Sequence, residues 1–276
     1  MDLAALETTL GWARDEGWNP GLDDAVAFLA ADPDGFLVGI VDGEQVSSIS
    51  LVRYADFAFL GLYVVRPDRR GQGHGLALWE HALSALPDHV VVGLDGVVAE
   101  QDSYRRSGFV LAHRNARWGG TVSALPVGPG ATDRVRTLGP GDVAAVAAYD
   151  VGVFPAPREA FLAAWLTGAT TRRAMGWFEH GRLGGWGCVR ACHEGWKVGP
   201  LFADSPAVAE ALVSALLTPV APGPVFLDVP EPNAAAVGLA TSLGLSPAFE
   251  TARMYRGPAP HLDLDRVYGI TTLELG

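Results

Sequence analysis

Val64-Val65-Arg66-Pro67-Asp68-Arg69-Arg70-Gly71-Gln72-Gly73-His74-Gly75 is the stretch that decides how this chain folds. An apolar run ends at a proline and passes through a basic, glycine-rich turn. It then opens onto a segment whose apolar residues Leu76, Trp79, Leu83 and Leu86 recur at helical spacing. A strand feeding a helix through such a turn makes an anion site. The glycines let backbone N–H groups converge, and the new helix adds unpaired donors at the positive end of its dipole. Arg69 and Arg70 bring side-chain charge to the same place, so a diphosphate is the expected guest rather than a single carboxylate. No Lys-Ser/Thr follows and the preceding strand belongs to a meander, which excludes a Walker loop and a dinucleotide fingerprint.

Upstream, 3–14 and 23–31 read as helices separated by the turn Gly17-Trp18-Asn19-Pro20-Gly21. Segments 36–41, 45–54 and 57–65 read as strands, with Asp42-Gly43 as a hairpin signal. Downstream come a helix at 76–86, an apolar strand at 90–94, a short helix at 101–107 and a returning strand at 109–118. Pro126 to Ala131 is Gly/Pro-rich and free of charge, the best linker in the chain. Beyond it the order recurs: a helix near 142–148, strands near 173–178, 183–191 and 196–202, a helix at 206–217, a strand at 225–229 and a helix at 234–243.

The cradle resembles the acetyl-CoA signature of the GNAT acetyltransferase superfamily, Arg/Gln-x-x-Gly-x-Gly/Ala, which Arg70, Gly73 and Gly75 satisfy after an approach Val65-x-Pro67. Tyr104-Arg105-Arg106-Ser107-Gly108-Phe109 resembles the same family's Tyr-x-x-x-Gly-Phe segment. The resemblance implies an α/β (α+β) fold of two tandem GNAT-like domains, 1–127 and 128–276, each a mixed, mostly antiparallel sheet flanked by helices. It also implies that the backbone from Arg70 through Gly71, Gln72, Gly73 and His74 to Gly75 holds the pyrophosphate of acetyl-CoA, with the pantetheine arm lying along the strand end at Val65. Tyr104 is then the general acid that protonates the departing thiolate. The sequence departs from the family where Asn-x-x-Ala is usual, with Val97 and Glu100 in those positions, and no β-strand is evident before Leu3.

The proton acceptor is harder to find, because no Asp or Glu lies on 57–65. Asp95, at the end of its strand, is the nearest candidate base and could equally cap the turn at Gly96. Tyr54 and Tyr63 could order a proton-carrying water or simply pack. His81 reads as solvated or packing. Trp18 and Asn19 sit in the segment that covers the acceptor pocket in GNAT folds and are candidate substrate contacts, as is Tyr54 on its strand, with loop anchoring as the alternative for Trp18.

In the second half the place of the cradle is taken by Asp204-Ser205-Pro206, where a diphosphate would meet an acid. Asn233-Ala234-Ala235-Ala236 restores Asn-x-x-Ala, but Ala240 stands where the tyrosine belongs. This half resembles the degenerate second domain of tandem GNAT proteins. Such a copy could complete a substrate pocket, with Trp177, Trp186 and Trp196 either lining it or packing in the core.

The 276 residues are 49% hydrophobic and 18% charged, a globular composition with room for two domains. A net charge of −11 argues against a nucleic-acid partner and suits a cationic acceptor, or serves solubility alone. No apolar run reaches the length of a membrane span and no signal peptide precedes Glu7, so a cytoplasmic protein is expected. Cys188 and Cys192 read as free core thiols, and no metal site is expected. The resulting expectation is an acetyl-CoA-dependent N-acetyltransferase acting on a small-molecule amine by direct attack in a ternary complex. A protein-modifying enzyme and a non-catalytic acetyl-CoA sensor or antibiotic-binding module are the alternatives. The oligomeric state is left open.

Overall fold

A computed structural model describes residues 1–125, 132–167 and 170–276; the expected linker at 126–131 lies outside the described residues. Helix α1 (Leu3–Asp15) opens the chain, its first turn capped by the Asp2 carboxylate, which accepts from the Ala5 amide at 2.9 Å. Its buried residues Leu6, Leu10 and Ala13 share one stripe. After α2 (Asp24–Ala31) come β1 (Phe36–Val41), β2 (Glu44–Tyr54) and β3 (Phe57–Val65), then α3 (His74–Ser84), β4 (Val91–Val97), α4 (Gln101–Arg106) and β5 (Val110–Val122).

The second half starts with β6 (Val135–Thr137), α5 (Val143–Asp150) and α6 (Glu159–Leu166). It continues with β7 (Arg172–Glu179), β8 (Arg182–Ala191), β9 (Trp196–Ala203), α7 (Pro206–Leu217), β10 (Gly223–Pro230) and α8 (Ala234–Ser242). It ends with β11 (Ser246–Arg256) and β12 (Val267–Gly269). The sheet is mixed and mostly antiparallel; only β3–β4 and β9–β10 run parallel among the described strands.

Instead of two separate sheets, the strands form a single one in the order β1-β2-β3-β4-β11-β5-β10-β9-β8-β7-β6, with β12 added against β9. Strand β11 of the second half sits between β4 and β5 of the first, and β5 sits between β11 and β10. The order reads as a pseudo-two-fold repeat about the β5–β11 ladder, near the facing pair Asn115 and Thr251. Helices α1, α2, α5 and α6 share one core on one face of the sheet; α3 and α4 pack beneath β2–β4, and α7 and α8 beneath β7–β10, on the other.

Two buried ion pairs fasten the exchange of strands. Arg253 on β11 grips Asp95 on β4 through Nε (2.9 Å) and Nη2 (2.7 Å). Arg117 on β5 grips Asp228 on β10 through Nε (2.7 Å) and Nη2 (2.9 Å). Burial works against both charges of each pair. For Arg253 the facing Asp95 outweighs it and the guanidinium is held more firmly protonated; for Asp228 the facing Arg117 outweighs it and the carboxyl lies below its ordinary range. Such bidentate pairs are shape-specific, and breaking one strands a charge in a dry interior. Arg117→Met is expected to cost about 3–5 kcal/mol in guanidinium unfolding. Arg117→Met with Asp228→Asn should recover most of that loss, and equal losses in the single and double variants would show that the pair contributes nothing.

Candidate active site

The site begins with a defect in β3. Leu62 has φ 45°, and the β2–β3 register slips between Ser48, which faces Val64, and Ser50, which faces Gly61. Ser48 Oγ donates to the Leu62 carbonyl at 2.9 Å and holds the bulge. Parallel pairing of β3 with β4 stops at Leu60 and Leu94, and beyond that point the strands part. A cleft of about 410 Å³ fills the gap. Its walls are β3 from Leu60 to Val65, β4 from Leu94 to Val97, Arg70 at one end, and Trp18, Phe249 and Leu273 at the other.

The cradle closes the first end. Gly71 (φ 74°) and Gly73 (φ 86°) adopt the left-handed backbone, and Gly73 is the residue that caps α3. The backbone N–H groups of Arg70, Gly71, Gln72 and Gly73 meet no acceptor among the described residues, and space stands open where a Cβ would sit on Gly71 or Gly73. That is an anion nest of the shape a diphosphate needs. Gly75 does a different job: a Cβ there would come within 2.7 Å of the Tyr63 hydroxyl and 2.9 Å of Val65, so glycine lets α3 seat against β3. His74 is half-buried, and Gln72 turns its amide back to the Asp68 carbonyl (3.3 Å). Arg66 pairs with Asp68 (2.7 Å) and Arg69 with Glu44 (3.4 Å), whereas Arg70 lines the cleft, donating to the Val65 carbonyl (3.0 Å) and pairing with Glu16.

Tyr104 reaches the cleft from α4, stacked on Trp79 at 5.5 Å between centroids. Gly96 makes that approach possible, since a Cβ on it would strike the Tyr104 ring. Burial, with Glu100 and Tyr63 nearby, raises the phenol above its ordinary value, so it stays protonated at neutral pH. Its hydroxyl makes no hydrogen bond among the described residues.

The other expected contacts are placed differently. The Asp95 side chain is fully buried, and its oxygens are taken up by Arg253 and by the Asn115 amide (2.8 Å), so it forms the floor of the cleft with its acceptors already engaged. Tyr54 lies outside the cleft, its hydroxyl donating to the Leu275 carbonyl (3.4 Å) and its ring edge-on to Phe154. Asn19 is buried too: its amide exchanges two hydrogen bonds with the Glu194 backbone (2.8 and 3.0 Å), which anchors the loop and leaves Trp18 as the part that lines the cleft. Trp177, Trp186 and Trp196 all pack in cores away from it.

Reading the sequence missed the residues that finish the far end of the cleft: Phe249 and Thr251 on β11, and Leu273 and Glu274 on the segment after β12. One signal was present. Gly61 interrupts an otherwise apolar strand, and a Cβ there would collide with the Glu274 carbonyl, a close backbone approach of the kind that an isolated strand glycine marks. In the second half the corresponding gap between β9 and β10 is filled by the protein itself. There β12 pairs with Leu201 and Phe202, and the Ile270 amide donates to the Asp228 carbonyl at 2.9 Å. Asn233 donates to the carbonyls of Leu264, Asp265 and Val267 on the approach to β12, and Arg266 pairs with Asp204 at 2.8 Å. The free cysteines are buried, and no metal-binding cluster or membrane-length apolar helix is present among the described residues.

A splayed parallel pair with an amide nest at its mouth is the architecture of acyl-CoA-dependent transferases, and comparisons with known proteins agree. The GNAT acetyltransferase family model matches residues 3–109, and a second acetyltransferase (GNAT) domain model matches 146–269. Holothin acyltransferase of a Pseudoalteromonas species is 32% identical over 267 residues, covering 96% of this chain and 89% of that protein. Among solved structures, a Pyrococcus horikoshii protein provisionally described as an acetyltransferase has a TM-score of 0.77 at 24% identity, covering 92% and 84% of the two chains. A tandem GNAT protein from the clavulanic acid biosynthesis pathway has a TM-score of 0.63 at 17% identity, covering 94% and 98%. The chain belongs to the GNAT acetyltransferase family, as a tandem protein, and is an acyltransferase.

Gly73→Val forces a β-branched residue into a left-handed backbone and fills the open nest. It should weaken coenzyme A binding by about tenfold or more in calorimetry. The same substitution at Gly181, a left-handed turn glycine away from the cleft, should leave binding unchanged; equal affinities for all three proteins would remove the nest from the site.

Proposed function

We propose that the protein transfers an acetyl group from acetyl-CoA to the amine of a small molecule, by direct attack with both substrates bound in the first-half cleft. The observation that carries this reading is the opening between β3 and β4 that ends on unpaired N–H groups at Gly71 to Gly73, while the matching gap in the second half is filled by β12. Acetyl-CoA would supply the activated acyl thioester. The nest and Arg70 would take its diphosphate, and the exposed edge of β3 up to Val65 would pair with the pantetheine amides. In this reading 1–127 is the cofactor-binding half, and 128–276 is a degenerate half that completes the acceptor end.

Tyr104 would donate its proton to the sulfur as the C–S bond breaks, a role suited to a phenol kept neutral by burial. A small acceptor is favoured because Trp18, Phe249 and Leu273 wall the far end of the cleft. The relative named for acylating holothin points the same way, its name giving a discrete compound as acceptor. The cytoplasm, where acyl-CoA is at hand, is the proposed setting.

Tyr104→Phe tests the chemistry. The ring and its stacking remain but the proton is gone, so turnover with a panel of amines, followed by thiol release, should fall about 10²-fold or more at unchanged coenzyme A affinity. Normal turnover would make the tyrosine a packing residue, and a parallel loss of affinity would make it a cofactor anchor.

A further inference from the structure

Four carboxylates line the cleft, and three are accounted for. Glu16 pairs with Arg70, Asp95 is held by Arg253, and Glu100 is exposed at the mouth. Glu274 is the fourth. The residue is only 4% exposed, and its carboxylate makes no hydrogen bond or ion pair among the described residues. Three cations lie around it with their hydrogen bonds directed elsewhere: Arg117 on β5 to Asp228, Arg190 on β8 to Asp24 with its Nη2 left without a hydrogen bond, and Lys197 on β9 to the carbonyls of Asn19 (2.7 Å) and Trp18 (3.3 Å). A buried carboxylate that makes no hydrogen bond and borders a cleft is placed to accept an ammonium proton.

The segment that carries Glu274 is fixed in place. Arg158 Nη2 donates to Thr271 Oγ1 (2.9 Å), Arg190 Nη1 to the Thr271 carbonyl (3.4 Å), the Leu275 amide to Thr272 Oγ1 (2.9 Å) and Tyr54 to the Leu275 carbonyl. Gly61 leaves room for the Glu274 backbone against β3, just where β3 parts from β4. The same segment therefore seals the second-half gap with β12 and then brings a carboxylate with no hydrogen bond to the first-half cleft.

We propose that Glu274 is the base of the acyl transfer, an inference that rests on the acetyl-CoA reading above. Glu274 takes a proton from the ammonium form of the acceptor, directly or through one water, and passes it to solvent. The freed nitrogen lone pair attacks the thioester carbonyl carbon, forming the C–N bond as the C–S bond breaks. Tyr104 gives its proton to the sulfur and recovers one from the acylated nitrogen, so each turnover yields an amide, a thiol and one released proton.

Alkylamines reach the cleft as ammonium ions at neutral pH, whereas arylamines arrive uncharged and need no such base. Thiol release is measured for both classes with the full-length protein, alongside calorimetric coenzyme A binding and thermal melting. Glu274→Gln is expected to lower kcat/KM for alkylamines by about 10²-fold or more. Arylamine rates should change far less, and coenzyme A affinity should hold. Glu274→Asp, which keeps the charge but withdraws it by one methylene, should show the same selectivity, and it carries the test if the glutamine variant does not fold. Unchanged alkylamine rates, or equal losses for both classes, overturn the proposal while leaving the acetyl-CoA reading intact. A wild type that binds no coenzyme A and releases no thiol with either class overturns both.

Discussion

Everything in this molecule depends on one antiparallel ladder, β5 against β11. Each half of the chain sends its returning strand across the boundary, so neither half can complete its sheet alone. A strand pair by itself is weakly specified in register, because a slip costs only hydrogen bonds that can re-form. On the two ladders that flank it, β4–β11 and β5–β10, a slip would also part Arg253 from Asp95 or Arg117 from Asp228, leaving charges unpaired in a dry interior. The ion pairs thus act more as register keys than as sources of net stability, each tying a residue of one half to a residue of the other.

The pseudo-two-fold makes the two gaps directly comparable. Both arise where a parallel pair ends, at Leu60 and Leu94 in the first half and at Val198 and Leu227 in the second. The first remains open and ends on free amides. The second is closed by β12, with Asn233 holding the incoming chain and Arg266 neutralising Asp204. A copy that has lost its basic turn could not hold a diphosphate, and an empty gap would leave the edges of β9 and β10 unpaired. Filling the gap with the chain's own backbone satisfies those edges and converts a redundant cleft into a route for Thr271–Gly276.

How much of this was legible in the sequence follows from which residues obey local rules. The cradle could be read because Gly71 and Gly73 are needed for their backbone conformation, and helical spacing announces α3. Tyr104 was found by its spacing to Gly108 and Phe109, and the structure brings it to the cleft. Strand β11 escaped because Pro247, Glu250, Arg253 and Arg256 break the apolar alternation that announces a strand; Arg253 is buried only because Asp95 waits for it across the sheet. Glu274 escaped for a similar reason, since nothing near it in sequence shows that its neighbours are Gly61 and β3, more than two hundred positions away. Asp95 fits a base by its position along its strand, but no local rule reveals a guanidinium arriving from the other half.

The strand that joins the halves is also a wall of the site, and its pleat divides the two duties by face. Ala252 and Met254 point into the core beneath α3 and α4, beside Leu94 and Tyr104. Thr251 borders the cleft on the opposite face, followed by Arg253 over the Phe59 ring at 5.0 Å and by Tyr255 in the core shared with α1 and α6. A change in how β11 seats therefore shifts the support under Tyr104 on one face and the far wall of the cleft on the other. Retention of a second half without a working cradle then has a mechanical explanation: it supplies the strand that sets the width of the first half's cleft and the segment that ends it.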